Sequence, residues 1–334
     1  MIWLTWRQHR IEMLVLGLVL AAMAVYFIQA GRATYAGYNQ VYNGMSAATC
    51  AQQHRQDALC QTITTNFHDQ FEDDFNAIIM LFIMPVLVGM FLGAPLVARE
   101  LERGTYRLVW TQSVTRLRWM LVKVGAQAGA ALLAFAVLTP IVLWWTGPFG
   151  GLIGGGMSNF DSVGIVPLAY MVYALALAIA AGTLLRTTVP AMFVTLVGYL
   201  AVRIPIAVLA RPNYLPPVSA TWDPYVTSPK VLLHQDWILF QNFVDHSGHP
   251  VPVSPPQRNA CEASGAPPAP HGQGTTTFND LFTACTHAHG WLYMATYQPA
   301  DRFWLFQGIE STIFFGLAAA LLALAFWWVR SRIS

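Results

Sequence analysis

Charge is what this chain has least of. Lysine and arginine number 18 and aspartate and glutamate 16 in 334 residues, and 55% of the sequence is hydrophobic. A soluble domain carries about 25% charged residues, so the shortage excludes one that covers itself with a solvated surface. Lysine is almost missing: Lys123 and Lys230 stand against 16 arginines. Neither lysine follows a glycine-rich loop, so a phosphate-cradling P-loop is excluded. Gly150-Gly-Leu-Ile-Gly-Gly-Gly156 has the glycines but no Lys-Ser/Thr after them, and reads as an external link. No Ser/His/Asp, Cys/His or paired-carboxylate arrangement is placed for catalysis, which argues against an enzyme. A net charge of +2 argues against nucleic acid as a partner.

What the chain has instead is long apolar runs, with a mean hydropathy of +0.46. A bilayer core of ~30 Å takes ~20 apolar residues per helix. Six segments qualify: 11–30, 77–98, 122–146, 163–185, 189–210 and 304–329. The first resembles a signal peptide in its basic start, but its cleavage-like site at Ile28-Gln-Ala30 is weak and five spans follow. The expected fold class is an all-α polytopic membrane protein with six transmembrane helices and an external, disulfide-bonded loop subdomain.

Basic residues near span ends set the orientation. With the N-terminus inside, eleven fall in short cytoplasmic segments and six in the much longer external ones, while twelve of the sixteen acids lie outside. Both termini are then cytoplasmic. Cys50 and Cys60 fall in the external loop 31–76, and Cys261 and Cys285 in the external segment 211–303, where an oxidising compartment favours disulfides. Pairing within each loop is the simplest arrangement, the Cys50–Cys60 ring adding ~3 kcal/mol in the chain-entropy model. Pairing across the loops stays open.

Within 211–303, residues 246–275 are rich in proline and glycine and read as irregular. Their flanks, Trp237–Phe243 and Trp291–Tyr297, carry enough apolar bulk to pack together. His287 and His289 beside Cys285 have the residue types of a metal site, but Cys285 is better placed in a disulfide, so no metal is expected. Glu72-Asp-Asp74 reads as a solvated end of the second span.

Two ionisable residues sit well inside apolar spans. Arg203 and Glu310 each lie ~10 Å below the external surface at 1.5 Å per residue, deep enough to meet one another. An intramembrane charge costs ~3 kcal/mol at the bilayer centre on insertion scales, and pairing offsets it. Arg203 and Glu310 therefore read either as a structural salt bridge or as part of a gate.

The scarce charge is concentrated in one place. Eight of the charged residues fall between Arg99 and Lys123. The second helix continues through Arg99, Glu100, Glu102 and Arg103 with i,i+3 pairs, and Gly104 ends it. Thr105 caps a short helix from Tyr106 through Arg107 to about Thr111 that exposes Tyr106 and Trp110, and Ser113 or Thr115 then caps the helix carrying Arg116 and Arg118. A stiff polar projection of this kind suits a protein partner.

Glu100-x-x-x-Gly104-Thr105, the Thr111-Gln-Ser-Val-Thr-Arg116 turn and Lys123 at the next span resemble permeases of ATP-binding-cassette transporters of the type-2 membrane class. Tyr297-Gln-Pro-Ala-Asp-Arg-Phe-Trp304 and Trp327-Trp-Val-Arg330 resemble actinobacterial members. The resemblance implies that 99–121 is a cytoplasmic coupling-helix region, and that 1–10 is an interfacial amphipathic helix. The aromatic and basic set Trp3, Trp6, Arg7 and Arg10 suits a headgroup boundary. The apolar segments place spans 1–2 within 11–98, spans 3–5 within 122–210, and the sixth span with a cytoplasmic tail in 304–334. This chain would hold no cofactor. Two ABC ATPase subunits would bind ATP and Mg, and a second permease copy or a paired permease would complete an exporter of a hydrophobic or amphiphilic substrate in a bacterial plasma membrane, in contact with membrane lipid. The proline-rich insert at 246–275 is longer than that family needs. The competing reading is a membrane sensor or binding protein that acts through 211–303.

Overall fold

The computed structural model describes residues 2–52, 58–76, 78–104, 115–153, 157, 160–223, 236–251 and 286–332. For residues 2–13, 72–76, 78–82 and a few other helical positions it describes the backbone alone. Among the described residues six helices are long and apolar enough to cross a membrane: Gly17–Asn39, Ile83–Arg103, Leu117–Pro148, Val166–Leu185, Thr188–Asn213 and Ala300–Ser331. They are called spans 1 to 6.

The helices overrun the apolar segments expected from sequence. The first runs unbroken over Ile2–Asn39, so residues 31–39, expected in a loop, are helical and 1–10 is not a separate helix. The third runs over Arg116–Ile153 and takes in the first residues of the glycine-rich stretch expected to be a link. Spans 4 and 5 are joined by a two-residue turn. Arg186 ends span 4 in the left-handed conformation at φ 59°, and Thr187 is extended before Thr188 opens span 5. Pro190 is the third residue of that helix and needs no N–H partner there.

Spans 2 and 4 are the packed interior, with 72% of each buried against 13–22% of the other four. Small residues make this contact. A Cβ added at Gly89 would lie 2.8 Å from the Ala174 carbonyl oxygen, and one at Gly182 would lie 2.8 Å from that of Ala94. Gly89-Met-Phe-Leu-Gly93 is thus a close-approach stripe on which Ala174 and Ala178 rest. The same five residues form a π-helical turn, four positions after Pro85 has removed a backbone donor.

The end of the bundle where span 5 finishes holds a feature that periodicity did not suggest. Val218–Trp222 (β1), Trp237–Val244 (β2) and Leu292–Gln298 (β3) form an antiparallel sheet in the order β1-β3-β2. The two aromatic flanks expected to pack together are β2 and β3, paired edge to edge from Trp237↔Gln298 to Val244↔Leu292. Gln298, fully buried, donates to the carbonyls of Pro212 and Leu215 at 2.9 and 2.7 Å, tying the sheet to the end of span 5.

Candidate functional site

At that end of the bundle four charged side chains from three elements converge. Asp161 lies in the segment between spans 3 and 4, Arg203 and Arg211 are in span 5, and Glu310 is in span 6. Arg211 grips Glu310 with two bonds, Nε to Oε2 and Nη2 to Oε1, both 2.8 Å. Its Nη2 also reaches Asp161 Oδ1 at 2.7 Å. Arg203 pairs with the same Asp161 oxygen and lies 3.5 Å from Glu310 Oε1. Tyr170 and Tyr214 donate to the two Glu310 oxygens, and the Tyr170 ring lies 4.0 Å below the Arg203 guanidinium. Two cations thus face two anions, with extra hydrogen bonds from the tyrosines on Glu310 and a ring face beneath Arg203.

Helix geometry explains how two arginines on one helix reach one carboxylate. Eight residues of plain α-helix would set Arg203 and Arg211 ~80° apart. Ile206–Ala210 is instead a π-helical turn, directly after Pro205, and the Arg211 N–H reaches back to Ile206 O. The extra residue absorbs ~100° of rotation and returns both side chains to one face. Arg203 and Glu310 are wholly buried and Arg211 nearly so, whereas 32% of the Asp161 side chain stays exposed. Burial alone would raise the Asp161 carboxyl, but the Arg211 and Arg203 guanidiniums outweigh it and hold the group below its ordinary value.

The segment bearing Asp161 is pinned from span 6 as well. The buried Gln307 amide oxygen accepts the Ile165 and Val166 N–H groups at 3.0 and 2.9 Å, capping span 4 from another helix. Its amide nitrogen donates to the Phe160 and Val163 carbonyls at 3.0 and 2.9 Å. All four hydrogen-bonding sites of the amide are used. Gly164, at φ +88°, passes so close that a Cβ there would sit 2.6 Å from Gln307 Oε1. Beside this segment a cleft of about 50 Å³ is lined by Met84, Phe135, Leu138, Met171 and Asp161 among others.

At the opposite end, spans 2 and 3 are braced to each other. Glu100 Oε1 meets Lys123 Nζ at 2.7 Å, and Glu100 Oε2 accepts the Trp119 indole N–H at 3.1 Å. Lys123 Nζ also donates to the Leu96 carbonyl at 3.3 Å and lies 5.1 Å from the Trp119 ring centre. Glu100 and Lys123 are both buried. Gly104 then ends the helix at φ 68°, its N–H returning to Leu101 O.

Compared with known families, residues 17–211, more than half of the chain, match the family model described as ABC-2 membrane transporter related. The chain belongs to that family. No curated protein and no solved structure matches it. As an ABC-2 family member with six membrane-crossing helices, it is a multi-pass membrane protein and a permease of an ABC transporter.

Set on this ABC-2 chain, the residues singled out from sequence divide into three groups. Arg203 and Glu310 come together, inside a larger cluster. Arg211 and Asp161 count only as loop charges in the sequence, and Tyr170 and Gln307 carry no signal there. Pro205 between the arginines was the one available hint of a changed helical phase.

In the projection, Gly104 ends the helix and Arg103 is exposed. Glu100 departs from its expected place: it is buried against Lys123 rather than paired with Arg103 at the surface. Glu102 accepts from Thr188 across the bundle, and Arg99 is half-buried. Thr105, Tyr106, Arg107 and Trp110 lie outside the described residues, as do the side chains of Arg116, Trp3, Trp6, Arg7 and Arg10. Cys50 and Cys60 form a disulfide, while Cys261 and Cys285 lie outside the described residues. His287 pairs with Asp223.

Proposed function

We propose that this permease is worked from its cytoplasmic side by a separate ATPase and exports a hydrophobic or amphiphilic compound across a bacterial plasma membrane. The observation that carries the reading is the contrast between the two ends of the bundle. One end is shut by a charge-balanced lock that joins spans 4, 5 and 6 and the Asp161 segment. At the other, Glu100, Lys123 and Trp119 brace spans 2 and 3, and the exposed end of span 2 at Arg103 and Gly104 leads into the polar sequence after it. A pathway closed outside and gripped inside is the resting state expected of a transporter that opens outward when driven.

In this reading both termini and 99–121 face the cytosol, and 211–303 lies outside. Residues 1–10, the start of the span 1 helix, reach the headgroup level on the cytoplasmic side. Spans 1–2, 3–5 and 6 occupy 11–98, 122–210 and 304–334. Arg99, Arg103, Gly104, Thr105, Tyr106, Arg107, Trp110 and Arg116 form the docking surface, while Glu100 stiffens its base. Two ATPase subunits bind ATP and Mg, and a second permease copy or a paired permease completes the pathway, bathed in membrane lipid.

The test is purification of the full-length chain from its native membrane in mild detergent. The account expects an ATPase with a P-loop to co-purify and to be lost on Gly104→Pro, since proline cannot adopt φ 68°. A chain that performs its function with no ATPase, and loses it on excision of 211–303 alone, would instead be a sensor.

A further inference from the structure

Span 5 begins with a cap that its own residues do not provide. Thr187 stands at the N-cap position but makes no side-chain capping bond. Glu102, 86 residues earlier, supplies it: its Oε2 accepts the Thr188 N–H at 3.2 Å and the Thr188 hydroxyl at 2.8 Å. A carboxylate on the free N–H groups of a helix start is favoured by hydrogen bonding and by the helix dipole together. Glu102 is two residues before Gly104, where the helix ends and the proposed docking segment begins. The helix it caps carries Arg203 ~22 Å and Arg211 ~34 Å further along, and both belong to the charge lock.

The contacts around Glu102 divide the labour. Glu100 binds Lys123 and Trp119, so it fixes span 2 to span 3 and makes the base of the projection one body. Glu102 leaves that body and reaches span 5. A displacement of the end of span 2 therefore acts on the start of span 5, and the helix from Thr188 to Arg203 carries it to the lock. The π turn at Ile206–Ala210 and Pro205 give that helix a place to bend just before Arg211.

We propose that Glu102 is a positioning residue that straps span 5 to the end of span 2, from which the docking segment leads, and that span 5 is the rod by which the motor's stroke opens the lock. This rests on the permease reading above.

The test uses the full complex in lipid nanodiscs, with Ser162→Cys beside Asp161 as a reporter. The rate of labelling by a membrane-impermeant maleimide is read with and without Mg-ATP, against the parent without that cysteine, while ATP hydrolysis is followed in parallel. ATP should raise labelling of the reporter. Thr188→Pro removes both donors to Glu102. It suits the first position of a helix, and the extended Thr187 before it (φ −133°, ψ 138°) tolerates a following proline. In Thr188→Pro and in Glu102→Ala, the ATPase should stay bound and hydrolysis continue, but the ATP-dependent rise should fall about five-fold or more, the lower bound of a typical coupling between sites. Glu102→Gln, whose amide oxygen still accepts, should keep most of the rise.

A Thr188→Pro variant with the full ATP response overturns the inference. So does loss of the ATPase on Glu102→Ala alone, which would make Glu102 a docking contact. If the unmutated chain carries no ATPase, the permease reading itself fails and the inference falls with it.

Discussion

Arg203 and Arg211 stand eight positions apart on one helix and point at the same oxygen of Asp161. The π turn between them is what permits it, and this gives an unusual expectation. Deleting Val208 should convert the turn to plain α-helix and leave both arginines on one face, with stability kept to within ~1 kcal/mol. Inserting an alanine at the same point should swing Arg211 ~100° away and cost ~3–5 kcal/mol, the usual cost of orphaning a buried charge. Thermal unfolding in detergent, read by size-exclusion recovery, separates the two.

The lock depends on balance more than on any one pair. Glu310→Leu leaves two guanidiniums facing one carboxylate and should lose ~3–5 kcal/mol. Adding Arg211→Met leaves Arg203 with Asp161 and an apolar filling, and should recover most of that loss. A double variant no better than Glu310→Leu alone would show that Arg211 is not the group left uncompensated.

Gln307 holds the Asp161 segment with both ends of its amide. Gln307→Leu orphans two N–H and two C=O groups, each worth ~1–3 kcal/mol if left unsatisfied. Gln307→Glu keeps the acceptors for Ile165 and Val166 but loses the donors to Phe160 and Val163, so it should fall between. Hydrogen exchange at Ile165 and Val166 should rise in the leucine variant and much less in the glutamate one.

Asp161 gives the lock a pH signature. Its carboxyl is held below the ordinary 3.8 by the two arginines, so its contribution is complete above about that pH. It is lost as pH falls through the lowered folded-state value. Wild-type stability should therefore stay level from neutrality down to the ordinary carboxylate range and then drop. Asp161→Asn should be less stable at neutral pH and show a shallower acid limb. Unfolding midpoints measured between pH 7 and 3 decide it.

Much of this architecture was readable from hydropathy. Apolar length and charge asymmetry locate six spans, and counting residues from the membrane surface sets Arg203 and Glu310 at one level; their side chains lie 3.5 Å apart. The rest of the lock was not readable, because α-helical phase turns Arg211 away from Arg203 and nothing local announces a π turn. Gln307 was hidden for a related reason: its partners are backbone groups more than 140 residues away, and backbone has no sequence signature. The small sheet escaped because its strands are separated by long proline-rich segments and lie on a protein otherwise built of helices. At the projection, i,i+3 spacing suggested surface ion pairs, but Glu100 finds Lys123 across two helices instead. The Gly89-to-Gly93 stripe was visible as letters, yet its meaning lies in Ala174 and Ala178 opposite.

The central claim is that the segment after Gly104 faces the cytosol, where a motor can reach it. Its most direct test is Arg107→Cys in intact cells, exposed to a membrane-impermeant maleimide, with Ser247→Cys in the 211–303 region as the counterpart and the parent chain as background. The account predicts that Ser247→Cys is labelled from outside, while Arg107→Cys reacts only once the membrane is made permeable. Labelling of Arg107→Cys in sealed cells would contradict it.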